Sequence, residues 1–408
     1  MKDVVRLGII GLGKRGADMA KSVIINVKDV KIVALSDVYE DKMQSAYEGI
    51  KDRLSEKPAF YTNYLDLLDS KKVDAVYISA AWEAHSRIAI DAMKKGVIPA
   101  LEVGGAYSEE ECWDLVKTQR ETKVPFMFME NCCYGKEELL GTALVRHGIL
   151  GEVSHCSGAY GHDLRHEVTH GKETRHYRLR NYIARNCENY PTHELGPIAK
   201  LLNINRGNRM VSLVSMSSKA AGLKEYIKSH ESELNPELKD VVFKQGDVVD
   251  TLITCENGAT IHLKLDTTLP RYYDRDFTVH GTKGLFKQTG NLVYLDGEEE
   301  SFESTENIKK YMDSAKKYEH LLPDFWLHAT EEQIKSGHGG MDYVLFTHFI
   351  DAVKNDKEMP IDVYDAASWM VITALSAKSI ALGSAPVAIP DFTEGTYLLR
   401  KPKDVTEL

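Results

Sequence analysis

Val4-Val5-Arg6-Leu7-Gly8-Ile9-Ile10-Gly11-Leu12-Gly13-Lys14-Arg15-Gly16 opens the chain as a strand that runs straight into a glycine turn. Its first seven residues are β-branched and almost continuously apolar, which is how a strand covered on both faces reads. Gly11, Gly13 and Gly16 then fall in G-x-G-x-x-G spacing ahead of a helix-like stretch at 17–27. In a dinucleotide-binding turn the first glycine permits the tight bend and the second lets the pyrophosphate approach the backbone. The third lets helix and strand pack closely, with the phosphates over the helix N-terminus. A second strand, Lys31-Ile32-Val33-Ala34-Leu35-Ser36, ends in Asp37, about 20 residues beyond the glycines. That carboxylate is placed to accept both ribose hydroxyls and would repel a 2′-phosphate, so NAD is expected over NADP. Lys14 and Arg15 are the nearby cations that would offset its charge.

The alternation continues, with strands at 74–79, 97–101 and 125–129 and helices at 84–95 and 109–120. Strands separated by helices of this length imply a parallel, doubly wound sheet, whose ligands bind beyond the carboxyl ends of the strands. Those ends carry Trp82 and His85, then Glu102-Val103, then Glu130-Asn131, all candidates to line the nicotinamide side. After Asn131 the pattern changes: a helix at 136–147 precedes a chain that is strand-rich from Glu152. Segments 251–255, 259–266, 277–280 and 292–295 read as antiparallel strands with turns at Asn257-Gly258 and Asp296-Gly297. The polar stretch 298–317 reads as a surface excursion, and 343–354 and 365–382 as amphipathic helices, the second closed by Gly383. The expected fold is α/β, with an N-terminal Rossmann doubly wound parallel sheet over 1–131. A C-terminal α+β domain over 132–408, with an open and mostly antiparallel sheet, completes it.

Composition excludes several classes. The 408 residues carry a formal charge of −10, which argues against nucleic acid or an anionic membrane as the main partner. No apolar run approaches the roughly 18 residues of a membrane span. The apolar stretch Leu7 to Leu12 is too short for a secretory signal and is interrupted by Lys14-Arg15, so a cytoplasmic protein is expected. Six cysteines without C-x-x-C spacing read as reduced thiols.

Between Tyr160 and Gly196 the sequence is crowded with polar chemistry. His162, His166 and His170 fall at i, i+4, i+8, which on a helix would form one metal-capable face. No acid or thiolate joins them at metal spacing and Gly161 and Gly171 weaken the helix, so no metal is expected. Tyr190 and His193, three apart, suit proton handling, because histidine titrates near neutrality and tyrosine can donate to an alkoxide. A packed helix start is the other reading of the same residues.

The chain resembles the Gfo/Idh/MocA superfamily over essentially its whole length, and more narrowly the NAD-dependent glycosidases of glycoside hydrolase family 109, whose known members include α-N-acetylgalactosaminidases. The likeness rests on the glycine turn, Trp82-Glu83-Ala84-His85, Glu130-Asn131-Cys132-Cys133-Tyr134, and Tyr160 before His162-Asp163-Leu164-Arg165. It continues in Tyr190-Pro191-Thr192-His193, Arg271 with Tyr273, and Gly337-His338-Gly339-Gly340-Met341-Asp342. Most telling is Leu101-Glu102-Val103, where superfamily oxidoreductases usually read Glu-Lys-Pro: the catalytic lysine is replaced by valine. The resemblance implies that Lys14, Arg15, Asp37, Trp82, His85, Glu102, Val103, Asn131, Arg178 and His193 face NAD. It implies that Tyr160, Tyr190 and Tyr273 face a sugar, and His162 is read with them. Gly104-Gly105, Gly161 and the extra Tyr272 depart from the family pattern, the first two at the expected mouth of the pocket.

The implied reaction is hydrolysis through transient oxidation of a glycoside at C3, loss of the C2 proton, elimination from C1, water addition and re-reduction. His193 or Tyr190 would deprotonate the C3 hydroxyl, with Tyr134 or Tyr273 assisting. Two other readings stand beside it: an NAD-dependent sugar or inositol dehydrogenase that releases NADH, and a non-catalytic NAD-sensing protein. A homo-oligomer formed through the open sheet is also expected, since an uncovered sheet face seeks a partner.

Overall fold

The computed structural model describes residues 3–297 and 308–408. The first sheet is built from β1 (Val5–Ile10), β2 (Val30–Ser36), β3 (Ala59–Tyr61), β4 (Ala75–Ile78), β5 (Ile98–Leu101) and β6 (Met127–Phe128). All neighbours are parallel, in the order β3-β2-β1-β4-β5-β6. This is the 3-2-1-4-5-6 order of a doubly wound dinucleotide fold, with its switch point beside β1. The apolar run at the N-terminus places Val5, Leu7 and Ile9 wholly out of water, each such burial contributing about 1.5–3 kcal/mol. The helix after β1 runs Lys14–Ser22, earlier and shorter than the 17–27 reading, and a separate 3₁₀ turn follows at Ile24–Asn26. The β-branched run Val23-Ile24-Ile25 accounts for the break, because such side chains crowd the preceding helical turn.

The chain does not divide once near residue 131. One unit comprises Met1–Tyr134 and His328–Ala367, and the other Gly135–Leu327 and Ser368–Leu408. Contacts across the sequence return the later segment to the first unit. Arg15 pairs with Asp342 at 2.7 Å, Lys354 with Asp29 at 2.7 Å, and Phe128 donates its N–H to the Ile361 carbonyl at 3.0 Å.

The second unit holds β7 (Val153–Gly161), β8 (Met210–Ser217), β9 (Val248–Cys255), β10 (Thr260–Asp266), β11 (Thr278–Gly281), β12 (Gly284–Lys287), β13 (Leu292–Leu295) and β14 (Val387–Ala388). They form one sheet in the order β13-β12-β11-β7-β10-β9-β8-β14. Every described pair is antiparallel except β7 with β10. The Asn257-Gly258 turn closes the β9–β10 hairpin as its sequence requires, with Gly258 at φ +90°. Asp296-Gly297 leads into residues 298–307, which lie outside the described residues. The rest of the supposed surface excursion is partly internal: Tyr311 and Ala315 are buried, and Ser314 Oγ accepts from Val293 N at 2.8 Å. The six cysteines are buried and free. Among the described residues no helix is long and apolar enough to cross a membrane.

Candidate active site

In the first unit the turn after β1 is shaped by its glycines. Gly11 takes φ +89°, and a side chain there would begin 2.5 Å from the Ala80 nitrogen; one at Gly16 would begin 2.0 Å from the Gly11 carbonyl oxygen. Around Gly13, by contrast, nothing lies within 4 Å of a Cβ position. At the end of β2, Asp37 accepts from Leu12 N at 2.6 Å and from Tyr39 N at 3.0 Å. Backbone donors thus orient both carboxylate oxygens and leave lone pairs for further donors.

Beyond the strand ends lies one charge network, centred on the buried carboxylates of Glu102 and Asp342. Arg15 donates through its two Nη atoms to both oxygens of Asp342 (2.7 and 2.8 Å) and through Nε to Glu102 Oε1 (3.0 Å). Tyr77 donates its hydroxyl to the same Glu102 oxygen at 2.6 Å, and Asn131 Nδ2 donates to Asp342 Oδ1 at 2.7 Å. His338 Nδ1 lies 2.7 Å from Asp342 Oδ2. Burial alone would raise the pKa of Asp342, but Arg15 and His338 hold it far below the usual carboxylate range. Burial alone would lower that of Arg15, but Glu102 and Asp342 hold it well above its ordinary value. Arg15 and Asn131, read from the sequence as cofactor contacts, therefore donate to protein carboxylates. Lys14 is exposed and pairs with Asp18 at 2.7 Å.

Val103 sits buried beside this network, its N–H donating to Glu102 Oε2 at 3.2 Å. Trp82 is buried at the start of the helix Trp82–Lys94, and Gly104 admits its indole: a Cβ there would stand 2.5 Å from Trp82 Cδ1. His85, on the same helix, lies with Nε2 2.9 Å from the Ala80 carbonyl, and burial pulls its pKa down to about 4. The ring is held neutral by burial, beside the Ala80 and Glu102 backbone. Tyr134 is wholly buried with its ring edge-on to His348 at 5.1 Å, and burial pushes its phenol well above the ordinary value.

The second unit gathers aromatic rings. Tyr160 comes from the end of β7, and Tyr190 and His193 flank the start of the helix Thr192–Leu201, opened by Pro191. Tyr160 lies 4.5 Å from Tyr190 and 5.6 Å from His193 by ring centroids, and Tyr190 and His193 are 4.8 Å apart. Burial pushes the Tyr160 phenol up to about 12, against the pull of Arg178. The Arg178 guanidinium stands 5.0 Å over the Tyr190 ring and pairs with Glu167 at 3.0 Å. His162 lies 3.1 Å from the Tyr160 hydroxyl and 5.2 Å from the Tyr273 ring, and burial lowers its pKa. Tyr160, His162, Tyr190, His193 and Tyr273, dispersed over more than a hundred positions, thus form a continuous set.

Two expectations change here. The helix Arg165–Thr169 is too short to align three histidines; His166 and His170 stack at 4.0 Å, while His162 belongs to the tyrosine set. Gly161 has another physical reason than a pocket mouth. Its missing Cβ would stand 2.1 Å from Arg271 Cζ, and that guanidinium pairs with Asp266 at 2.8 Å. Since alternate strand residues point to opposite faces, this contact is on the face away from Tyr160.

Residues 134–399 match the family described as glycosyl hydrolase 109, C-terminal domain, and residues 5–129 match the oxidoreductase family with NAD-binding Rossmann fold. An α-N-acetylgalactosaminidase of Tannerella forsythia is 36% identical, over 98% of this chain and 88% of its own length. The chain belongs to glycosyl hydrolase family 109. A second relative, an α-N-acetylgalactosaminidase of Shewanella oneidensis, is 37% identical over 98% of this chain and 87% of its own. The fold is shared with a myo-inositol dehydrogenase of Lactobacillus casei solved with NAD(H) and myo-inositol (TM-score 0.62, 16% identity, 95% of this chain and 99% of that one).

This family 109 chain is thus an NAD-dependent enzyme with an N-terminal NAD-binding Rossmann domain. Its residues fit that cofactor: the open space at Gly13 and the oriented Asp37 carboxylate. Several residues carried no role in the sequence reading. Asp342 and His338 stood in a quoted glycine-rich motif, the one signal that pointed to them. Glu167, the partner of Arg178, had no motif to mark it.

Proposed function

We propose that this family 109 chain cleaves α-N-acetylgalactosaminides by transient oxidation at C3, elimination of the leaving group from C1, water addition and re-reduction. The glycone follows the named activity of the Tannerella and Shewanella relatives. Bound NAD supplies the reversible redox change at C3; Asp37, His85 and the glycine turn are the residues that would hold it. Proton handling falls to the aromatic set. His193 is the group we assign to the C3 hydroxyl proton, since its imidazole, a general acid–base group, stands edge-on to the Tyr190 ring. Tyr190, packed against it beneath the Arg178 cation, is its partner in that exchange. Tyr160, with its phenol pushed up to about 12, stays protonated and donates to a sugar oxygen.

The observation that carries this reading is the Tyr160–Tyr190–His193 cluster in a chain whose lysine position is the buried, apolar Val103. An ordinary dehydrogenase of this superfamily would have the lysine. The test is a proton NMR time course in D₂O with p-nitrophenyl α-N-acetylgalactosaminide and catalytic NAD⁺. Free sugar deuterated at C2, without NADH build-up, is expected. Oxidation of a sugar matched by NADH would make the chain a dehydrogenase instead. Replacing His193 with Ala should lower turnover at least on the order of 10²-fold; near-normal kinetics would remove it from the role. The outward sheet face bearing Met216 and Leu252, 64% and 56% exposed, is where we place self-association.

A further inference from the structure

Glu138, buried on the helix Lys136–Arg146, accepts through one oxygen from Arg275 Nε (2.7 Å) and from Gln288 Nε2 (2.8 Å). Arg275 in turn donates from Nη1 to the Tyr273 hydroxyl oxygen at 3.3 Å. The backbone that carries them is clipped to the end of β7. Gly161 and Asp274 exchange N–H···O bonds at 3.0 and 2.9 Å, and Ala159 N donates to the Arg275 carbonyl at 2.6 Å. Tyr273 therefore has a defined place beside His162, and it is 47% exposed where Tyr190 and His193 are 7% and 8%. A guanidinium has only donors, so the Tyr273 oxygen accepts on that side and its own O–H hydrogen is directed away from Arg275. A phenol fixed as a donor at the solvent rim of the ring cluster suits an oxygen that departs into solvent.

We propose that Tyr273 protonates the leaving oxygen at C1, and that Arg275, anchored by Glu138, is the positioning residue that makes it a donor. This rests on the elimination reading above. In the step, the C1–O bond breaks and its electron pair goes to the oxygen, which takes the Tyr273 proton. The C2–H pair becomes the C1–C2 double bond as the C2 proton passes to a base. When water later adds at C1, its proton returns to the Tyr273 oxygen.

The test compares kcat/KM on p-nitrophenyl and methyl α-N-acetylgalactosaminides with the NAD-loaded enzyme, because nitrophenolate leaves without a proton and methoxide does not. Tyr273→Phe should lose on the order of 10²-fold on the methyl glycoside and much less on the nitrophenyl one. Arg275→Gln should repeat the pattern at about tenfold, and Arg275→Lys should recover part of it. Equal losses on both substrates would indicate a merely structural role and overturn the proposal. A second readout needs no turnover: the oxygen-bearing ring carbon of ¹³C-labelled Tyr273, assigned by its loss in Tyr273→Phe. Its resonance should move in Arg275→Gln and return in Arg275→Lys; an unmoved resonance overturns the positioning role. Cleavage of neither glycoside by the wild type would sink the glycosidase reading, and that resonance would still decide the Arg275 contact.

Discussion

The charge network of the first unit and the aromatic cluster of the second treat charge in opposite ways. In the first, Arg15 and Asp342 are both driven toward their charged forms, each by the other, with Glu102, Asn131 and His338 closing the network. In the second, burial drives Tyr160, Tyr177 and His162 toward their neutral forms, and the cation beside them, Arg178, lies over an aromatic ring. The difference suits the roles proposed above. A charge network fixes groups rigidly around a cofactor turn, because a buried ion pair has few alternative geometries. Proton exchange needs groups that change state without a large charge penalty, and neutral phenols and imidazoles packed on one another offer that.

Breaking the first unit's network gives the largest expected effect. Asp342→Ala leaves the half-buried Arg15 without its bidentate partner and the buried Asn131 amide without its acceptor, at a cost of about 1–3 kcal/mol by urea unfolding. The double variant Arg15→Met, Asp342→Leu should recover much of that loss; a single variant within about 1 kcal/mol of wild type would erase the contrast. In the second unit the same kind of deletion should act on rate. Tyr160→Phe, which removes one hydroxyl, should cost about 0.5–1.5 kcal/mol in stability while lowering kcat. Stability lost without any change in kcat would place Tyr160 among packing residues.

The pH dependence of stability sharpens the comparison further. His85 in the first unit is held neutral, with its pKa lowered from 6.5 to about 4. Its contribution is complete above about pH 6.5 and is lost as pH falls toward 4, when the unfolded chain takes the proton first. Buried Glu188 in the second unit is shifted the other way, from 4.5 to about 8 by burial. Its contribution is complete below pH 4.5 and is lost as pH rises toward 8. His85→Gln should flatten the acid side of a stability profile and Glu188→Gln the alkaline side. The reverse assignment of the two limbs would show that other groups set them.

Much of the first unit was legible because its information is local. The strand, the glycine turn, the next strand and Asp37 occur within a few dozen residues, and each imposes a backbone or charge requirement that sequence displays. Trp82, His85 and Val103 were found as strand-end residues for the same reason. The roles of Arg15, Glu102 and Asn131 were less legible, since all three converge on a network completed by Asp342, 327 positions from Arg15. In the second unit the short spacing of Tyr190 and His193 was visible, but their contact with Tyr160 depends on the docking of β7 against a later helix.

The chain's residues taken by themselves determined the parallel nucleotide fold, the NAD cofactor and the membership of a glycosidase family. Tertiary structure alone decided the partners: Asp342 for Arg15, Glu138 and Arg275 for Tyr273, Arg271 for the space at Gly161, and the return of residues 328–367 to the first unit. The division has a physical cause. Turn geometry and hydrophobic period are properties of neighbouring residues, whereas a buried charge takes whichever opposite charge folding brings within hydrogen-bond reach, and sequence separation does not enter that energy.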